Sequence, residues 1–338
     1  MDIISIYSGC GGMDLGFKKS GFKTVYATDN WEAACNTLLE NKISKEVVKE
    51  DIRNLDFKRF FGKVDGVIGG PPCPPYSQTR HYLINKNKGF EDKDSGFAVP
   101  EFFRVVKEVS PKFFFFENVD GFNYKTHIKE LEYLIQTSDK LGYNVSYQVI
   151  NCADYGVPQT RKRFICIGFK KKYGEFIFPK PTHANPLKEL NGKKPWVTCG
   201  DVLSDFDDIN KTELKQRPGA KHNYLLKDIP PGDNYLFFTE KRGYPKPIFK
   251  WKSRYWTFLL KLTPARPSWT IQASFSNNQG PFHWRNRFLR IEEIKKLQTI
   301  DDDYAITGNF KTKWKQIGNA LPVKIAEILS KEIKKQIL

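Results

Sequence analysis

The thiol of Cys73 has an unusual position, because it follows an apolar run and lies among glycines and prolines. The run Val64–Ile68 leads into Gly69–Pro75, whose sequence is Gly-Gly-Pro-Pro-Cys-Pro-Pro. Glycine and proline interrupt regular structure, and an open α/β sheet binds ligands at the carboxyl ends of its strands. A thiol at such an end could act as a nucleophile. The alternative is a small apolar side chain packed at a turn, and this segment alone favours neither.

A carboxylate and an amide follow a second apolar run. Glu117 and Asn118 come directly after Phe113–Phe116, which we expect to form the strand beside the one that leads to Cys73. A charged group after four phenylalanines is costly unless it is paired or used. The alternative is a glutamate that ends its strand in water.

Three polar side chains alternate along a third segment. Gln159, Arg161 and Arg163 lead into the apolar run Phe164–Gly168. A period of two places them on one face of a strand. They would either line a site or form a solvated basic edge.

A glycine-rich turn follows the first predicted strand, within Ile6–Phe17. Such glycines let a backbone approach a ligand closely, although their spacing is not the dinucleotide fingerprint. Asp29 ends the second predicted strand, where related folds place a carboxylate on ribose hydroxyls. Trp31 could stack on a base, and Asp51 and Ile52 end the third strand. Each could be a cap or turn residue alone, but together they predict a nucleoside pocket.

The first 170 residues alternate short apolar strands with helical stretches. The predicted strands are Ile3–Tyr7, Thr24–Ala27, Glu46–Lys49, Gly66–Ile68 and Phe113–Phe116. The predicted helices are Met13–Ser20, Trp31–Asn41 and Pro100–Val109. Strands that are continuously apolar indicate a parallel sheet covered on both faces. We therefore predict an α/β fold with one active edge.

The alternation of apolar strands and helical stretches stops at about residue 171. Prolines, glycines, lysines and aromatics mix without a period as far as residue 284, and helical pattern returns at Ile291–Leu297 and Val323–Lys334. We predict three parts. Residues 1–170 would form a catalytic and cofactor-binding domain, residues 171–284 a smaller irregular domain, and residues 285–338 a segment that completes the catalytic domain.

Composition narrows the possible partners. Lys and Arg total 55 against 38 for Asp and Glu, a net charge of +17, which suits a nucleic acid but also plain solubility. No apolar run approaches a membrane span, so no membrane partner is expected. The six cysteines show neither a Cys-x-x-Cys pair nor zinc spacing with histidine. We therefore expect no metal and a reduced, cytoplasmic protein.

These motifs together resemble the DNA (cytosine-5)-methyltransferase family, of the bacterial restriction-modification type. The match runs from the glycine-rich turn through Pro-Pro-Cys, Glu-Asn-Val and Gln-x-Arg-x-Arg to Gly318–Ala320, and leaves out residues 171–284. It implies a doubly wound, mostly parallel sheet of the S-adenosylmethionine-dependent methyltransferase fold, with a target-recognition domain. The chain departs from the family at Pro74, where glutamine is usual, and at Asp29-Asn30, where glutamate is commoner.

The resemblance also implies roles for particular residues. Cys73 would attack carbon 6 of a cytosine so that carbon 5 accepts the methyl group of S-adenosylmethionine. Glu117 would contact the ring nitrogen and the amine, while Arg163, Arg161 and Asn118 would hold the base or the surrounding backbone. The implied cofactor-binding residues are Tyr7, Gly9, Gly11, Gly12, Asp29, Trp31, Asp51, Ile52, Pro72 and Asn319.

The implied substrate is double-stranded DNA with the target base flipped out of the duplex. The Ser77–Gly96 loop would close over that base, and the domain at 171–284 would read the sequence. Candidates there are Arg242, Trp251, Arg254, Trp256, Arg266 and Arg285. We expect a monomer in a bacterial cytoplasm, with a restriction endonuclease for the same site as a possible partner.

Three rival functions use the same residues. A transfer-RNA type cytosine-5 methyltransferase would share nearly every motif, but the chain has no Cys-Phe-Thr signature. A nicotinamide oxidoreductase would explain the glycine-rich turn and Asp29, but not Cys73 or Glu117. A silent DNA-binding relative would not need Cys73, Glu117 and Arg163 together.

Overall fold

A seven-stranded sheet forms the centre of the chain. The computed structural model describes residues 1–72, 89–92, 95–206, 218–252 and 255–338. The strands are β1 (Asp2–Ile6), β2 (Lys23–Asp29), β3 (Glu46–Lys49), β4 (Gly66–Gly69), β5 (Phe113–Val119), β6 (Tyr143–Asn151), β7 (Gln159–Thr160), β8 (Lys162–Lys170), β9 (His183–Ala184), β10 (Lys194–Pro195) and β11 (Ser268–Trp269). The helices are α1 (Gly12–Lys19), α2 (Glu32–Glu40), α3 (Ala98–Val109), α4 (Ile128–Lys140), α5 (Cys199–Leu203), α6 (Ile291–Leu297), α7 (Phe310–Asn319) and α8 (Val323–Ile337).

The order of the strands is β3-β2-β1-β4-β5-β8-β6. The five strands β1 to β5 are parallel to one another, and β8 runs antiparallel to both β5 and β6. The mostly parallel α/β sheet is therefore confirmed. The chain runs outward from β1 to β3 and then resumes on the other side of β1 with β4. This reversal creates a crevice at the carboxyl ends of β1 and β4, where such sheets bind ligands.

The four consecutive phenylalanines of β5 are buried on alternate faces of the sheet. Phe114 and Phe116 pack with α3, whereas Phe113 and Phe115 pack with α1 and α8. A strand covered on both faces has no solvent side, which explains the unbroken apolar run. Each buried ring contributes roughly 1.5–3 kcal/mol to folding.

Strand β5 is longer than predicted. The sequence placed its end at Phe116, but β8 continues to pair with it, so that Glu117 lies opposite Ile165 and Val119 opposite Arg163. The predicted end was wrong by three residues. Glu117 is consequently held in the sheet by its pairing with β8 rather than at a free strand end.

Helix α1 packs closely against α8 through Gly16. A Cβ at Gly16 would lie 2.5 Å from the Cβ of Ala326 and 2.6 Å from the carbonyl oxygen of Val323. Helix α1 follows β1 in the chain, so this contact brings the last helix close to the first strand.

Replacing Gly16 by alanine should lower the free energy of unfolding by about 1–3 kcal/mol, because an added methyl group overpacks the contact. Helix propensity alone would favour alanine by about 1 kcal/mol. Urea denaturation measures the change. Gly219→Ala is the control, since a Cβ there meets nothing within 4 Å. An unchanged or raised stability for Gly16→Ala would contradict the close packing.

A buried carboxylate fixes α1 to the sheet. Asp14 accepts hydrogen bonds from the hydroxyls of Ser5 at 3.0 Å and Thr24 at 2.9 Å. Burial raises the pKa of Asp14 from 3.8 to about 6, despite these two bonds. The folded chain therefore binds more protons than the unfolded chain between these pH values, and its stability falls as the pH rises through this window.

Asp14→Asn should remove this dependence, since the amide does not titrate. A difference of about two pKa units corresponds to ~3 kcal/mol. Stability measured by denaturation at a series of pH values should therefore be flatter in the variant between pH 3.8 and about 6. Parallel curves for the two proteins would rule out a raised pKa at Asp14.

The stretch predicted as a separate domain divides between several cores. A cluster of its own joins Leu225, Leu226, Ile229, Tyr235, Leu236, Phe238, Leu259, Phe282 and Phe288. Phe176 instead packs with α8, and Cys199, Leu262 and Ile271 pack with α6 and α7. The independent core is thus confined to about residues 225–288. Among the described residues, no helix has both the length and the apolar character needed to cross a membrane.

Candidate active site

An ion pair joins the two strands at the centre of the predicted site. Arg163 donates from Nε to Oε1 of Glu117 at 2.8 Å, and Glu117 is 9 % exposed. Burial raises the pKa of Glu117, while Arg163 and Arg161 act in the opposite direction. The carboxyl group therefore takes up a proton more readily than in water, beside a fixed guanidinium that stabilises its charged form.

The chain that leaves β4 passes directly beside this pair. A Cβ at Gly70 would lie 2.8 Å from Oε2 of Glu117, so a larger residue here would press on that carboxylate. Asn118 donates from Nδ2 to the carbonyl oxygen of Pro71 at 3.3 Å. Pro72 is the last described residue before Cys73, and Cys73 lies outside the described residues. Its predicted role remains a prediction.

Gln159 and Arg161 face inward and bind backbone. Arg161 is 0 % exposed and donates to the carbonyl oxygens of Ile271, Gly318 and Ala320 at 2.7–3.0 Å. Gln159 bonds to the backbone of Leu297 and Ile271. A solvated basic edge is excluded for these side chains. Arg161 ties the C-terminal segment to the sheet, and its predicted contact with the base stays a prediction.

The glycine-rich turn is tied to the end of β2. Asp29 accepts the backbone N–H of Gly9 at 2.8 Å with one oxygen and that of Trp31 at 2.9 Å with the other. Burial raises the pKa of Asp29, and these N–H groups oppose the rise. Asp29 thus holds the turn in place, and the exposed Asn30 follows it at the strand end.

The glycines of the turn have different surroundings. Gly9 has a φ of +53°, and a Cβ there would meet nothing within 4 Å. A Cβ at Gly11 would lie 2.6 Å from the hydroxyl of Tyr304, and one at Gly12 would lie 2.8 Å from the carbonyl oxygen of Leu321. Gly9 therefore faces open space, whereas Gly11 and Gly12 allow the C-terminal segment to approach. This approach brings the exposed Asn319 to the same edge.

The segment that follows β3, from Asp51 to Leu55, forms a wall beside the glycine-rich turn. A side chain of α3 holds it in place. Arg104 donates to the carbonyl oxygens of Ile52 at 2.7 Å and Leu55 at 3.1 Å. Asp51 accepts three hydrogen bonds from Arg53, which lower its pKa. Ile52 is buried, so its side chain forms part of the wall while Asp51 is turned toward Arg53.

Trp31 and Tyr7 border the turn on either side. The ammonium of Lys315 lies 4.6 Å from the centre of the Trp31 ring, and the hydroxyl of Tyr7 donates to the carbonyl oxygen of Ala98 at 3.1 Å. The open space at Gly9 thus lies in a turn that Asp29 ties to the backbone of Trp31.

Comparison with known proteins decides the family. The model of the C-5 cytosine-specific DNA methylase family matches residues 1–335. The chain belongs to this family. It is 32 % identical to the Type II methyltransferase M.SacI of Streptomyces achromogenes over all of this chain and 93 % of the relative. It is 33 % identical to M.MthTI of Methanothermobacter thermautotrophicus over all of this chain and 98 % of the relative.

Solved structures agree with this methylase fold. A DNA modification methyltransferase encoded within an Escherichia coli prophage superposes with a TM-score of 0.69 at 23 % identity, covering 100 % of this chain and 99 % of that one. DNMT2 of Spodoptera frugiperda gives 0.67 at 16 % identity, with the same coverage. These likenesses support the fold of the methylase.

The methylase brings its predicted residues together in two groups. Glu117, Asn118 and Arg163 surround the exit of β4. The second group, at the ends of β1 and β2, consists of Tyr7, Gly9, Asp29 and Trp31, with Asn319 at the same edge. Their contacts with a cofactor stay predictions. The structure adds Tyr304 and Arg104, which the sequence analysis missed. Tyr304 donates to the carbonyl oxygen of Cys10 at 2.6 Å. Because this contact joins segments that are far apart in the sequence, no local pattern predicts it.

Candidate DNA-reading residues of the methylase have mixed environments. Arg242 contacts Asp233 at 3.3 Å, Trp251 lies under the ammonium of Lys241, and Trp256 is 38 % exposed. The guanidinium of Arg266 lies 5.8 Å from the ring centre of Trp269. Arg285 is exposed, and Arg254 lies outside the described residues. A base-reading role for any of them stays a prediction.

Proposed function

We propose that the chain methylates carbon 5 of a flipped-out cytosine within a specific sequence of duplex DNA, using S-adenosylmethionine. The buried pair of Glu117 and Arg163 carries this proposal, because it lies beside the backbone that leads to Cys73. A proton-holding carboxyl next to a nucleophilic thiol is what addition to a pyrimidine ring needs.

The chemistry assigned to the chain begins with the thiolate of Cys73. The sulfur–carbon bond forms at carbon 6, and the electron pair of the 5,6 double bond moves into the ring. Glu117 donates a proton or hydrogen bond to the ring nitrogen, which lowers the cost of that charge. Carbon 5 would then accept the methyl group as the bond between that group and the sulfonium sulfur of the cofactor breaks, with the electron pair left on that sulfur. Loss of the carbon 5 proton to solvent would restore the 5,6 double bond and break the bond to Cys73, which returns the thiolate.

Arg163 supports this step in two ways. Its guanidinium fixes the orientation of Glu117 through the 2.8 Å bond, and we assign it the further role of holding the base oxygen. Asn118 keeps the exit of β4 beside the carboxyl group through Pro71.

The cofactor site that we propose lies over Gly9. When bound, S-adenosylmethionine supplies an electrophilic methyl group. Trp31 and Ile52 would flank its adenine, with Asp51 near the amine. Asn30 or Asp29 would meet the ribose, and Tyr7, Pro72 and Asn319 would complete the pocket. The open space at Gly9 supports this assignment.

We propose that the positive charge of the chain binds the DNA backbone and that residues 225–288 recognise the DNA sequence. A net charge of +17 favours phosphates, and that unit has its own core with exposed aromatics. Since the relatives carry the name Type II methyltransferase, we propose that a restriction endonuclease for the same site accompanies the enzyme and that the enzyme acts as a monomer.

Bisulfite sequencing of DNA from cells that express the chain tests the function. Protected cytosines in one short sequence, absent from cells expressing Cys73→Ala, are expected. Soluble protein without protected cytosines in DNA would contradict the proposal, and methylation of RNA in the same cells would favour the transfer-RNA type instead.

A further inference from the structure

A group of basic side chains converges on Gly156, outside the site already described. A Cβ at Gly156 would lie 2.8 Å from Nζ of Lys324 and 3.0 Å from Nε2 of His183. Lys324 also donates to the carbonyl oxygen of Gly156 at 3.0 Å. Gly156 has a φ of +79°, so both its conformation and the two side chains above it require glycine.

Lys194 is the third member of this basic cluster. Strands β9 and β10 pair in parallel with Lys194 opposite His183, which places their side chains next to each other. Burial lowers the pKa of His183, and Lys324 and Lys194 lower it further. Burial also lowers the pKa of Lys324, and the charge of Lys194 lowers it further. Each of these bases therefore disfavours the protonation of its neighbours.

Two carboxylates near the cluster, Asp154 and Glu327, have hydrogen-bond partners outside it. They therefore do not cancel the positive charge of its lysines. Asp154 accepts a hydrogen bond from the indole N–H of Trp196 at 2.8 Å. Glu327, three residues beyond Lys324, is bonded to Lys331 and raises the pKa of Lys324 less than burial lowers it. The cluster remains basic and in contact with solvent, since Lys194 is exposed.

The basic cluster lies at the active edge of the sheet. Gly156 belongs to the connection between β6 and β7, and the backbone N–H of Cys152 in that connection bonds to Arg161 at 2.9 Å. Cys152 is close enough to Glu117 and Arg163 for their charges to affect its pKa. A duplex that delivers a base to Glu117 carries about one phosphate charge per 1.7 Å of its axis, so phosphates must pass near this edge.

We propose that Lys194, Lys324 and His183 form a binding site for a backbone phosphate of the substrate DNA, next to the flipped base. This inference rests on the proposed function, since it takes DNA as the substrate. The ammonium of Lys324 and the imidazole of His183 meet at Gly156, with Lys194 opposite His183 on the paired strand, and such a basic group suits a phosphate oxygen. The site fixes the position of the duplex and reads no sequence.

Salt dependence of DNA binding tests the phosphate site. Each lysine that neutralises a phosphate contributes about one unit to the slope of log Kobs against log[salt]. Lys194→Ala should therefore lower that slope by about one unit, and Lys194→Ala with Lys324→Ala by up to about two. Turnover at saturating DNA should be unchanged. Lys23→Ala is the control, since this exposed lysine begins β2 at the opposite edge.

The outcomes separate this inference from the proposed function. If the wild-type chain binds and methylates DNA and Lys194→Ala keeps the full slope, the phosphate site is wrong while the function stands. If the wild-type chain neither binds nor methylates DNA, both fail. Lys324→Ala removes a bond to Gly156 and could unfold the connection, but Lys194→Ala leaves that bond intact and decides alone.

Discussion

Replacing Cys73 by alanine should abolish methyl transfer, with a loss of at least ~10⁴-fold, while DNA binding stays near that of the wild type. The whole reaction passes through the sulfur–carbon bond, so no other group can replace the thiolate. The assay is transfer of labelled methyl groups to DNA, with binding measured by fluorescence anisotropy. Turnover retained by the variant would remove Cys73 from the mechanism.

A control separates this thiol from the other cysteines. Cys199→Ala removes a buried thiol whose pKa is raised by burial, and it should leave turnover unchanged. DNA containing 5-fluorocytosine adds a direct test, because fluorine at carbon 5 prevents the elimination that releases the enzyme. Mass spectrometry should then show a covalent adduct with the wild type and with Cys199→Ala, but none with Cys73→Ala.

Replacing Glu117 by glutamine should lower kcat about 10²- to 10⁴-fold, the range that general acid–base groups contribute. The amide keeps the shape of the side chain but does not give up a proton to the ring nitrogen. The apparent KM for S-adenosylmethionine should change little, since the predicted cofactor residues lie on other strands. Steady-state kinetics at varied cofactor and DNA concentrations measures both quantities.

The pH profile of the wild type should depend on Glu117. Because burial raises its pKa, the protonated form persists above the ordinary range of a carboxyl group, and kcat should fall as the pH rises through that raised value. Glu117→Gln should lack this limb. Glu46→Gln, which breaks an exposed pair with Arg59, should retain both the limb and full activity. A glutamine variant with normal kcat and a raised KM would move Glu117 to a binding role.

Local patterns predict the parallel part of the sheet well. Unbroken apolar runs such as Gly66–Ile68 and Phe113–Phe116 mark strands that are covered on both faces. The sequence analysis did not predict β6, because Tyr143 and Ile150 are its only fully buried residues and it therefore has no apolar run. The edge of a sheet carries a weaker sequence signal than its centre.

Side-chain partners were harder to predict than strands. The alternation of Gln159, Arg161 and Arg163 indicated a shared face, but nothing local shows that Arg161 binds Gly318 and Ala320. Nothing local shows that both oxygens of Asp29 accept backbone N–H groups, and its contact with a ribose stays a prediction. Such contacts join residues far apart in sequence, and long-range packing likewise divides the stretch 171–284 between several cores.

The contact between α1 and α8 has a consequence for synthesis on the ribosome. Gly16 and Ala326 are separated by about 310 residues, which take on the order of 15 to 60 s to translate. Throughout that time the surface of α1 that α8 will cover is exposed, and the glycine-rich turn lacks the segment that packs on Gly12. The nascent chain therefore lacks a complete active edge until the segment around Leu321 and α8 has been made, and the uncovered surface of α1 is open to aggregation until then.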